Sequence, residues 1–300
     1  MSIRFRPAPV ALIAIAFLLT ASDAFAWGPI THTKLATDLL SQIGLLPAAV
    51  AYALRRHGTS YVFGNIAADV VLAKRLSRVK QFCHHWTTGF DLLSGARQAR
   101  DQAFAYGYLS HLAADTVAHS RFIPHQLLVS RTTLNFGHVY WEMRADAALD
   151  HAHWRAFRQV MAADHEHHHR ILGRRMVHAV LPYRYNRRVF DRINQTLARP
   201  YWRTGVSRWA RHSRWSLCDQ TLAAYHGEAV ERIISVLTDL HGSPVLREDP
   251  NGNAMLRQIK HLRRQNRRLS RRGVHVELRR FEAAASIAPD ASPAATFRAS

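Results

Sequence analysis

The chain has 300 residues, 48% of them apolar, and it carries 20 histidines and a formal net charge of +20. This apolar fraction is enough for a buried core, and it excludes a chain that is disordered throughout. The excess of histidine points to metal binding and the excess of positive charge to an anionic partner, although solvated arginine-rich helix faces explain the charge equally well.

The first 26 residues have the pattern of a secretory signal peptide. A positive start with Arg4 and Arg6 is followed by an almost wholly apolar run over residues 8–21 and by the small residues Ala24 and Ala26. The apolar run is shorter than the roughly 20 residues that a membrane-spanning helix needs. We therefore expect export to the periplasm or the medium, with a mature protein that begins at residue 27.

The two cysteines of the chain, Cys83 and Cys218, are candidates for one disulfide. An oxidising compartment outside the cytoplasm would permit such a bond. Their separation in sequence does not fix their distance in space, so paired and free thiols are both open at this point.

Apolar residues recur every three to four positions in five segments, which is the pattern of amphipathic helices. The segments are 35–53, 99–118, 135–161, 189–197 and 216–240. Strand-like alternation is almost absent. We therefore predict an all-α fold, with one multi-helix domain over residues 27–242.

The chain changes character after Gly242. Residues 243–282 are rich in arginine, and we predict a basic helical extension that either faces solvent or lies on an anionic membrane surface or nucleic acid. Residues 283–300 are rich in Ala, Ser and Pro, which is typical of a disordered tail.

Two of the predicted helices pair a histidine with a carboxylate four residues later, His111 with Asp115 and His138 with Glu142. Residues four apart lie on one face of a helix, so each pair can bind one metal ion. His119 follows Asp115 by four more residues. At about 100° per residue its side chain is rotated by about 80° from His111, so it would serve a neighbouring ion.

Further ligand types lie upstream. Asp69 ends the mostly small and apolar segment 64–69, where an unpaired charge would be costly unless a cation or strong donors face it. His84 and His85 are adjacent, and His32 lies five residues after the predicted new N-terminus. A single buried His or Asp is most often a structural residue. The combination, however, predicts a metal site.

The run His165–His169 contains four histidines and one acid. At helical spacing His165 and His169 could share a metal ion. We interpret the run as a surface feature or a weak adventitious metal site.

Taken in order, these motifs resemble the zinc-dependent phospholipase C family. The resemblance covers about residues 27–158, and beyond them the chain offers only compatible helices. It rests on the stretch Trp27–His32, on Gly64–Asp69, on His85 followed by Trp86, and on the two helical pairs His111–Asp115 and His138–Glu142.

The resemblance implies three zinc ions and divides the candidate ligands among them. The amino nitrogen and carbonyl of Trp27 would bind the first ion together with His32 and Asp115. The second would be held by Asp69, His85, His111 and the bridging Asp115, and the third by His119, His138 and Glu142.

Two of these assignments have alternatives. His84 is the alternative to His85, which is preferred because an aromatic residue follows it. The interval from Asp115 to His119 is shorter than in the familiar secreted enzymes, although the related glycosylphosphatidylinositol-cleaving phospholipases look similar to this short form. His125 is therefore the alternative to His119.

The resemblance implies hydrolysis of a phosphodiester, with a phospholipid as the expected substrate. The expected nucleophile is a hydroxide that bridges two zinc ions, which lower the pKa of the bound water. Asp69 is the expected catalytic residue, since it would orient or deprotonate this water while it also binds zinc.

Two other functions stay open. A three-zinc nuclease of the single-strand type shares the spacing from Trp27 to His32, and the positive charge would suit nucleic acid. Those nucleases usually carry Asp where Glu142 stands, and a clear aromatic platform for bases is missing from the sequence. The other alternative is a basic protein that binds metal and anions without catalysis.

Overall fold

The computed structural model of the protein describes residues 27–71, 82–130 and 134–271. Within these ranges the chain forms helices and turns and no strand, which confirms the all-α prediction. No helix in the described ranges combines the length and the apolar character that are needed to cross a membrane. The predicted signal peptide and the predicted tail lie outside the described residues, so both stay predictions.

The described α-helices are 8 to 21 residues long. They are α1 (Pro29–Ser41), α2 (Ala48–Arg56), α3 (Gly58–Ala67), α4 (Trp86–Ser94), α5 (Ala99–Val117), α6 (Ile123–Ser130), α7 (Leu134–Ala148), α8 (His151–Ala162), α9 (Glu166–Arg175), α10 (Tyr183–Leu197), α11 (Pro200–Arg211), α12 (Asp219–Asp239) and α13 (Asn253–Arg271). A π-helical turn, Ala118–Phe122, joins α5 to α6. Short 3₁₀ turns lie at Ile43–Leu45, Phe82–His84, Leu240–Gly242 and Pro244–Arg247.

Two of the predicted apolar segments are each broken into two helices. The segment 35–53 is interrupted over residues 42–47. Pro47 precedes α2, and Leu46 before it is extended, because the residue before a proline is disfavoured in helical geometry. The segment 135–161 is interrupted at Asp150, whose carboxylate accepts hydrogen bonds from the backbone N–H groups of Ala152 and His153. Asp150 thereby caps the start of α8.

Helix α5 lies at the centre of the fold. Every residue from Ala103 to Val117 is buried, as expected for a helix that is packed on all sides. Helix α3 crosses it at very short range, because a Cβ atom on Gly107 would lie 2.0 Å from the carbonyl oxygen of Tyr61. On the facing helix, a Cβ atom on Gly64 would lie 2.1 Å from the carbonyl oxygen of Phe104. This close contact brings the end of α3 beside the buried face of α5.

The histidine run is part of the packed interior and not the surface feature that we predict above. The ring of His165 stacks on Phe63 with 3.6 Å between centroids, and the ring of His168 stacks on Phe104 at 4.6 Å. His169 faces the hydroxyl of Tyr183 at 2.8 Å, and all three histidines are buried. The spacing that looks like a metal motif therefore serves to dock α9 on the core.

Residues beyond the predicted boundary at 242 also contact the core. Trp86 Nε1 donates a hydrogen bond to the carbonyl oxygen of Glu248, and Ile259 on α13 is buried. Gly252 has a φ of +57°, and a Cβ there would lie 2.6 Å from the His119 carbonyl oxygen. The domain boundary itself stays a prediction, but the start of the basic extension is packed against the rest of the chain.

We expect Gly107→Ala to destabilise the protein by about 2 kcal/mol or more, because the added methyl group meets rigid backbone. The matched control is Gly205→Ala on α11, where a Cβ would have no atom within 4 Å. That change should be neutral or stabilise by up to about 1 kcal/mol. Urea unfolding of both variants measures the two free energies. Equal stability of the two variants would contradict the close helix contact.

We expect acid to destabilise the fold through the buried histidines. Burial, reinforced by neighbouring positive groups, lowers the pKa of His168 and of His169 to about 3. The unfolded chain takes up these protons below its ordinary pKa of about 6.5, whereas the folded chain does not do so until about pH 3. Stability is therefore fully present above pH 6.5 and is lost as the pH falls from there.

The variant His168→Phe tests this cause. Both ring nitrogens of His168 lack a hydrogen-bond partner among the described residues, so phenylalanine can keep the stack on Phe104 while it removes the titration. The slope of unfolding free energy against pH should then be shallower by up to about 1.4 kcal/mol per pH unit between pH 6 and pH 4. An unchanged slope would show that other groups cause the acid sensitivity.

Candidate metal centre

The carboxylate of Asp115 is the middle of the candidate site. Asp115 lies near the end of α5, and its side chain is 1% exposed. Four buried imidazoles face it, one from α1, one from the turn before α4, one from α5 and one from the π-helical turn. The distances from Nε2 to the nearest Asp115 oxygen are 3.4 Å for His32, 3.4 Å for His84, 3.2 Å for His111 and 3.8 Å for His119.

Asp69, which follows α3, brings a second carboxylate to the same cluster. Its Oδ1 lies 3.2 Å from His84 Nε2 and 3.9 Å from His111 Nε2. Among the described residues two sets of three could each hold a metal ion, with ligand atoms all within 4.8 Å of one another. One set is His32, Asp69 and His111, and the other is His84, His111 and Asp115.

The orientation of His111 is set by a backbone carbonyl. Its Nδ1 lies 2.8 Å from the carbonyl oxygen of Asn65, which can only accept, so Nδ1 carries the proton. In the neutral ring the lone pair is then on Nε2, which faces the Asp115 carboxylate and lies 3.0 Å from His84 Nε2. A lone pair aimed at a carboxylate is repulsive unless a cation binds both.

The polar atoms of the cluster fit such a cation. Neither oxygen of Asp115 accepts a hydrogen bond of good geometry from the described residues, and neither ring nitrogen of His32 has such a partner. Buried polar groups are nearly always satisfied, so this arrangement requires a bound ligand. Imidazole nitrogens and carboxylate oxygens are the donors that zinc takes in proteins.

The protonation states also suit metal binding. Burial alone would raise the pKa of Asp115, but the adjacent imidazoles of His111, His32 and His84 outweigh it and hold this pKa well below its usual value. Burial, together with the neighbouring His111, lowers the pKa of His32. At neutral pH the carboxylate is therefore ionised and His32 is neutral, as a metal ligand must be.

The structure favours His84 over His85 as the ligand, which revises the choice made from the sequence. His84 ends the 3₁₀ turn Phe82–His84 and points into the cluster, whereas His85 is half-buried, precedes α4 and belongs to neither set. Asn251 Nδ2 donates a hydrogen bond to the carbonyl oxygen of His84 and holds this turn. The aromatic residue after His85 does not set which ring faces inward, because the local turn does so; the assignment of either histidine to zinc stays a prediction.

The two cysteines do not form the disulfide that is one of the alternatives above. Both are free thiols, Cys83 buried and Cys218 exposed. The sulfur of Cys83 lies 3.5 Å from Nδ1 of His84, so this thiol packs behind a candidate ligand.

His119 reaches Asp115 because it follows that residue by four positions, which puts both on one face of the helix. It lies at the start of the π-helical turn, a feature that is common at functional sites. The ring of His119 lies 5.1 Å from that of His138, and both residues are buried. The alternative, His125, is half-buried, with Nδ1 3.3 Å from the hydroxyl of Tyr225. This placement favours His119.

Glu142 and Trp27 are the residues assigned above to the third and the first ion. Glu142 is buried and lines a pocket together with His32 and Asp69. The indole of Trp27 is fully buried, stacks on Phe122 at 4.5 Å between centroids, and donates from Nε1 to the carbonyl oxygen of Ala114 at 3.2 Å. The assignment of these residues to zinc stays a prediction.

Asp146 is a buried residue of the site that the sequence analysis misses. It lies one helical turn after Glu142, and its carboxylate accepts hydrogen bonds from the backbone N–H of Thr31 at 2.9 Å and from the hydroxyl of Thr31 at 2.7 Å. A Cβ on Gly28 would lie 2.1 Å from Asp146 Oδ2, so a larger residue there would displace this carboxylate. Burial raises the pKa of Asp146 to about 6, although these hydrogen bonds oppose the shift.

This carboxylate anchors the N-terminus of α1, where backbone N–H groups need an acceptor and a negative charge is favourable. His32 is in the first turn of that helix, so the position of a candidate ligand depends on Asp146. The spacing of four between Glu142 and Asp146 is the signal that could have drawn attention to it.

A pocket adjoins the cluster and is mostly apolar. Its volume is about 800 Å³ with its open mouth included. His32, Asp69, Glu142 and Asp146 contribute the charged and imidazole part of its lining. Helices α8, α10 and α11 contribute apolar side chains that include Trp154, Phe190, Leu197, Trp202 and Val206. The pocket therefore presents metal-binding groups and an apolar wall to the same bound molecule.

We expect Asp146→Ala to lower the zinc content and the stability of the purified protein, because the start of α1 loses its anchor. The matched control is Asp150→Ala, which removes the capping carboxylate of α8 and should cost about 1 kcal/mol. Zinc content of the control should equal that of the wild type, since Asp150 is not in the cluster. Unaltered zinc content in Asp146→Ala would show that the anchor does not position His32.

Comparison with known proteins agrees with this geometry. A family model described as zinc dependent phospholipase C matches residues 31–198, which is more than half of the chain. The matched range includes His32, Asp69, the candidate ligands on α5 and the amphipathic helix α10. No curated protein and no solved structure matches the chain.

Proposed function

The chain belongs to the zinc-dependent phospholipase C family, and from this premise we propose that it hydrolyses the phosphodiester bond of phospholipids. The family supports zinc as the cofactor and hydrolysis as the reaction class. The choice of a phospholipid, the ligand set and the role of each residue are our proposal.

The proposal rests on the lining of the pocket, which combines charged and apolar side chains. Asp69, His32 and Glu142 line it together with apolar residues such as Phe190 and Val206. A phospholipid has a charged phosphodiester joined to apolar chains, so it can contact both parts at once. A nucleotide would set polar sugar and phosphate groups against the apolar wall, where their desolvation is costly.

The zinc ligands follow from the cluster. His32, Asp69, His84, His111 and Asp115 would hold two ions, and His119, His138 and Glu142 would hold a third. We also propose that residues 1–26 direct export and are then removed. The free amine of Trp27 would thereby become available to the ion that His32 binds.

Zinc ions bound here would lower the pKa of a coordinated water and neutralise charge on the phosphate oxygens. The side chains supply positioning and proton transfer. Asp69 is 12% exposed, in contrast to the fully enclosed Asp115, and it lines the pocket. Its carboxylate oxygens are therefore placed to orient the attacking water and to accept its proton as the phosphate ester is attacked.

Asp115 and His111 have a different part. Both are completely enclosed by protein, so they fix the geometry of the centre and do not meet the substrate. The hydrogen bond from His111 Nδ1 to the Asn65 carbonyl locks the ring in the orientation that a metal ligand needs. The apolar wall keeps bulk water from the scissile bond, which strengthens electrostatic contacts there.

We expect the zinc-loaded mature protein to release phosphorylated head groups from dispersed phosphatidylcholine or phosphatidylglycerol and to leave single-stranded DNA intact. Asp69→Asn should reduce turnover per bound zinc by about 10² to 10⁴, because the amide cannot accept the proton. The matched control is Asp91→Asn, an exposed aspartate on α4 that should keep full turnover.

Parallel assays of both substrates, normalised to zinc measured by atomic absorption, check this prediction. Cleavage of DNA without cleavage of lipid would replace the proposal by a nuclease. Wild-type turnover of Asp69→Asn at equal zinc content would remove Asp69 from the reaction.

A further inference from the structure

Half of the net charge of the chain is concentrated in one short stretch. Residues 174–214 contain eleven arginines, no lysine and a single acid, Asp191, which gives a net charge of +10 out of a total of +20. The stretch contains α10 and α11, which also form part of the apolar wall of the pocket. We call the exposed side chains of residues 174–214 the arginine surface.

On α10 the arginines form a ridge that faces solvent. Arg184, Arg188 and Arg192 follow one another at a spacing of four, so they share one face of the helix, and all three are exposed. In the described part of the chain no carboxylate lies within ion-pair distance of these three. Arg187, one position along, shows the contrast, because it pairs with Glu166 at 2.8 Å.

The same stretch exposes large apolar side chains. Of the eight large apolar residues that are exposed among the described residues, six lie between positions 177 and 209. They are Val177, Val180, Leu181, Tyr185, Tyr201 and Trp209. Val177 is 70% exposed and Tyr201 is 61% exposed, so these two side chains lie mostly in solvent. Exposed apolar groups among cationic ones are typical of surfaces that bind a membrane or another molecule.

The arginine surface and the pocket are formed by the same helices. Phe190 and Leu197 of α10 and Val206 of α11 line the pocket, while Arg188 and Tyr201 of the same two helices face outward. The same helices thus carry the pocket wall on one side and the arginine surface on the other, one helix diameter, roughly 10 Å, apart.

We propose that the arginine surface docks the protein on an anionic phospholipid membrane. Arginines would bind lipid phosphates, and the exposed Val177 and Leu181 would enter the interface between head groups and chains. The exposed Val177, Val180 and Leu181 favour a membrane over nucleic acid, because bases stack on aromatic rings and not on aliphatic groups. The exposed Tyr185, Tyr201 and Trp209 suit a membrane interface as well, since Tyr and Trp are enriched there. This inference rests on the proposed function, in which a lipid of the membrane enters the adjoining pocket.

The proposal places membrane contact on α10 and α11 and not on the basic helix α13. On α13 the residues Arg257, Lys260 and Arg264 also share an exposed basic face. The opposite side of that helix packs on the core through Ile259. The described part of α13 lacks exposed large apolar side chains, so it offers charge without groups that enter the interface.

The test is sedimentation of the zinc-loaded, full-length mature protein with vesicles of equal parts phosphatidylcholine and phosphatidylglycerol, at low salt. The triple variant Arg184→Gln, Arg188→Gln, Arg192→Gln should bind these vesicles at least about tenfold more weakly than the wild type. The matched control, Arg257→Gln, Lys260→Gln, Arg264→Gln, makes the same change of charge on α13 and should bind like the wild type. Circular dichroism and zinc content confirm that both variants are folded.

A second pair of variants tests the apolar part. Val177→Ser with Leu181→Ser should weaken vesicle binding several-fold, whereas Leu45→Ser with Tyr52→Ser, which changes the other two exposed apolar residues, should not. Equal binding of the α10 arginine variant and the wild type would overturn the proposal. Tighter binding of a single-stranded oligonucleotide than of vesicles, through the same arginines, would overturn the proposal as well.

Turnover on a monomeric short-chain phospholipid separates this inference from the proposed function. That substrate needs no membrane, so the arginine variant should keep wild-type turnover while it loses vesicle binding. Absence of turnover in the wild type, with vesicle binding that depends on Arg184, Arg188 and Arg192, would contradict the proposed function and leave the docking surface intact. Normal turnover with binding unaffected in the arginine variant would contradict the docking surface alone.

Discussion

An ionised carboxylate enclosed in the most deeply buried helix is the constraint on which the rest of the structure depends. Asp115 lies on α5, where every residue from Ala103 to Val117 is buried. The cost of burying an isolated charge is many times the net stability of a domain, so its surroundings must compensate it. Four imidazoles from four parts of the chain converge on it. The polar cluster is therefore needed for the fold and is also the candidate catalytic site.

The packing around α5 serves this convergence. The glycine contact between α3 and α5 brings the backbone at Asn65 close enough to orient His111 and brings Asp69 to the edge of the cluster. Asp146 fixes the start of α1, and Asn251 fixes the turn that holds His84. His32, Asp69, His84 and His111 are therefore held by hydrogen bonds or backbone contacts that are not themselves part of the candidate metal site, as precise ligand geometry requires.

Much of this arrangement can be predicted from the sequence, for reasons that differ among residues. The all-α fold follows from helical periodicity, and His111 with Asp115 follows from spacing on a regular helix. The choice between His84 and His85 cannot be made this way, because a 3₁₀ turn sets the direction of each side chain. Asp146 and Asn65 are missed because one acts on a distant helix start and the other through its backbone, which no residue pattern reveals.

The π-helical turn at Ala118–Phe122 has a consequence for how this chain tolerates insertions and deletions. An extra residue in one turn shifts the register of all that follows by about 100°. Removing one residue there would restore an ordinary helix, with its backbone hydrogen bonds complete, and would leave His119 within one turn of Asp115. It would nevertheless rotate α6, which begins at Ile123, and so change which of its side chains pack against the rest of the domain. A related chain that lacks the additional residue could therefore keep the ligand types of α5 and still need different packing residues on α6.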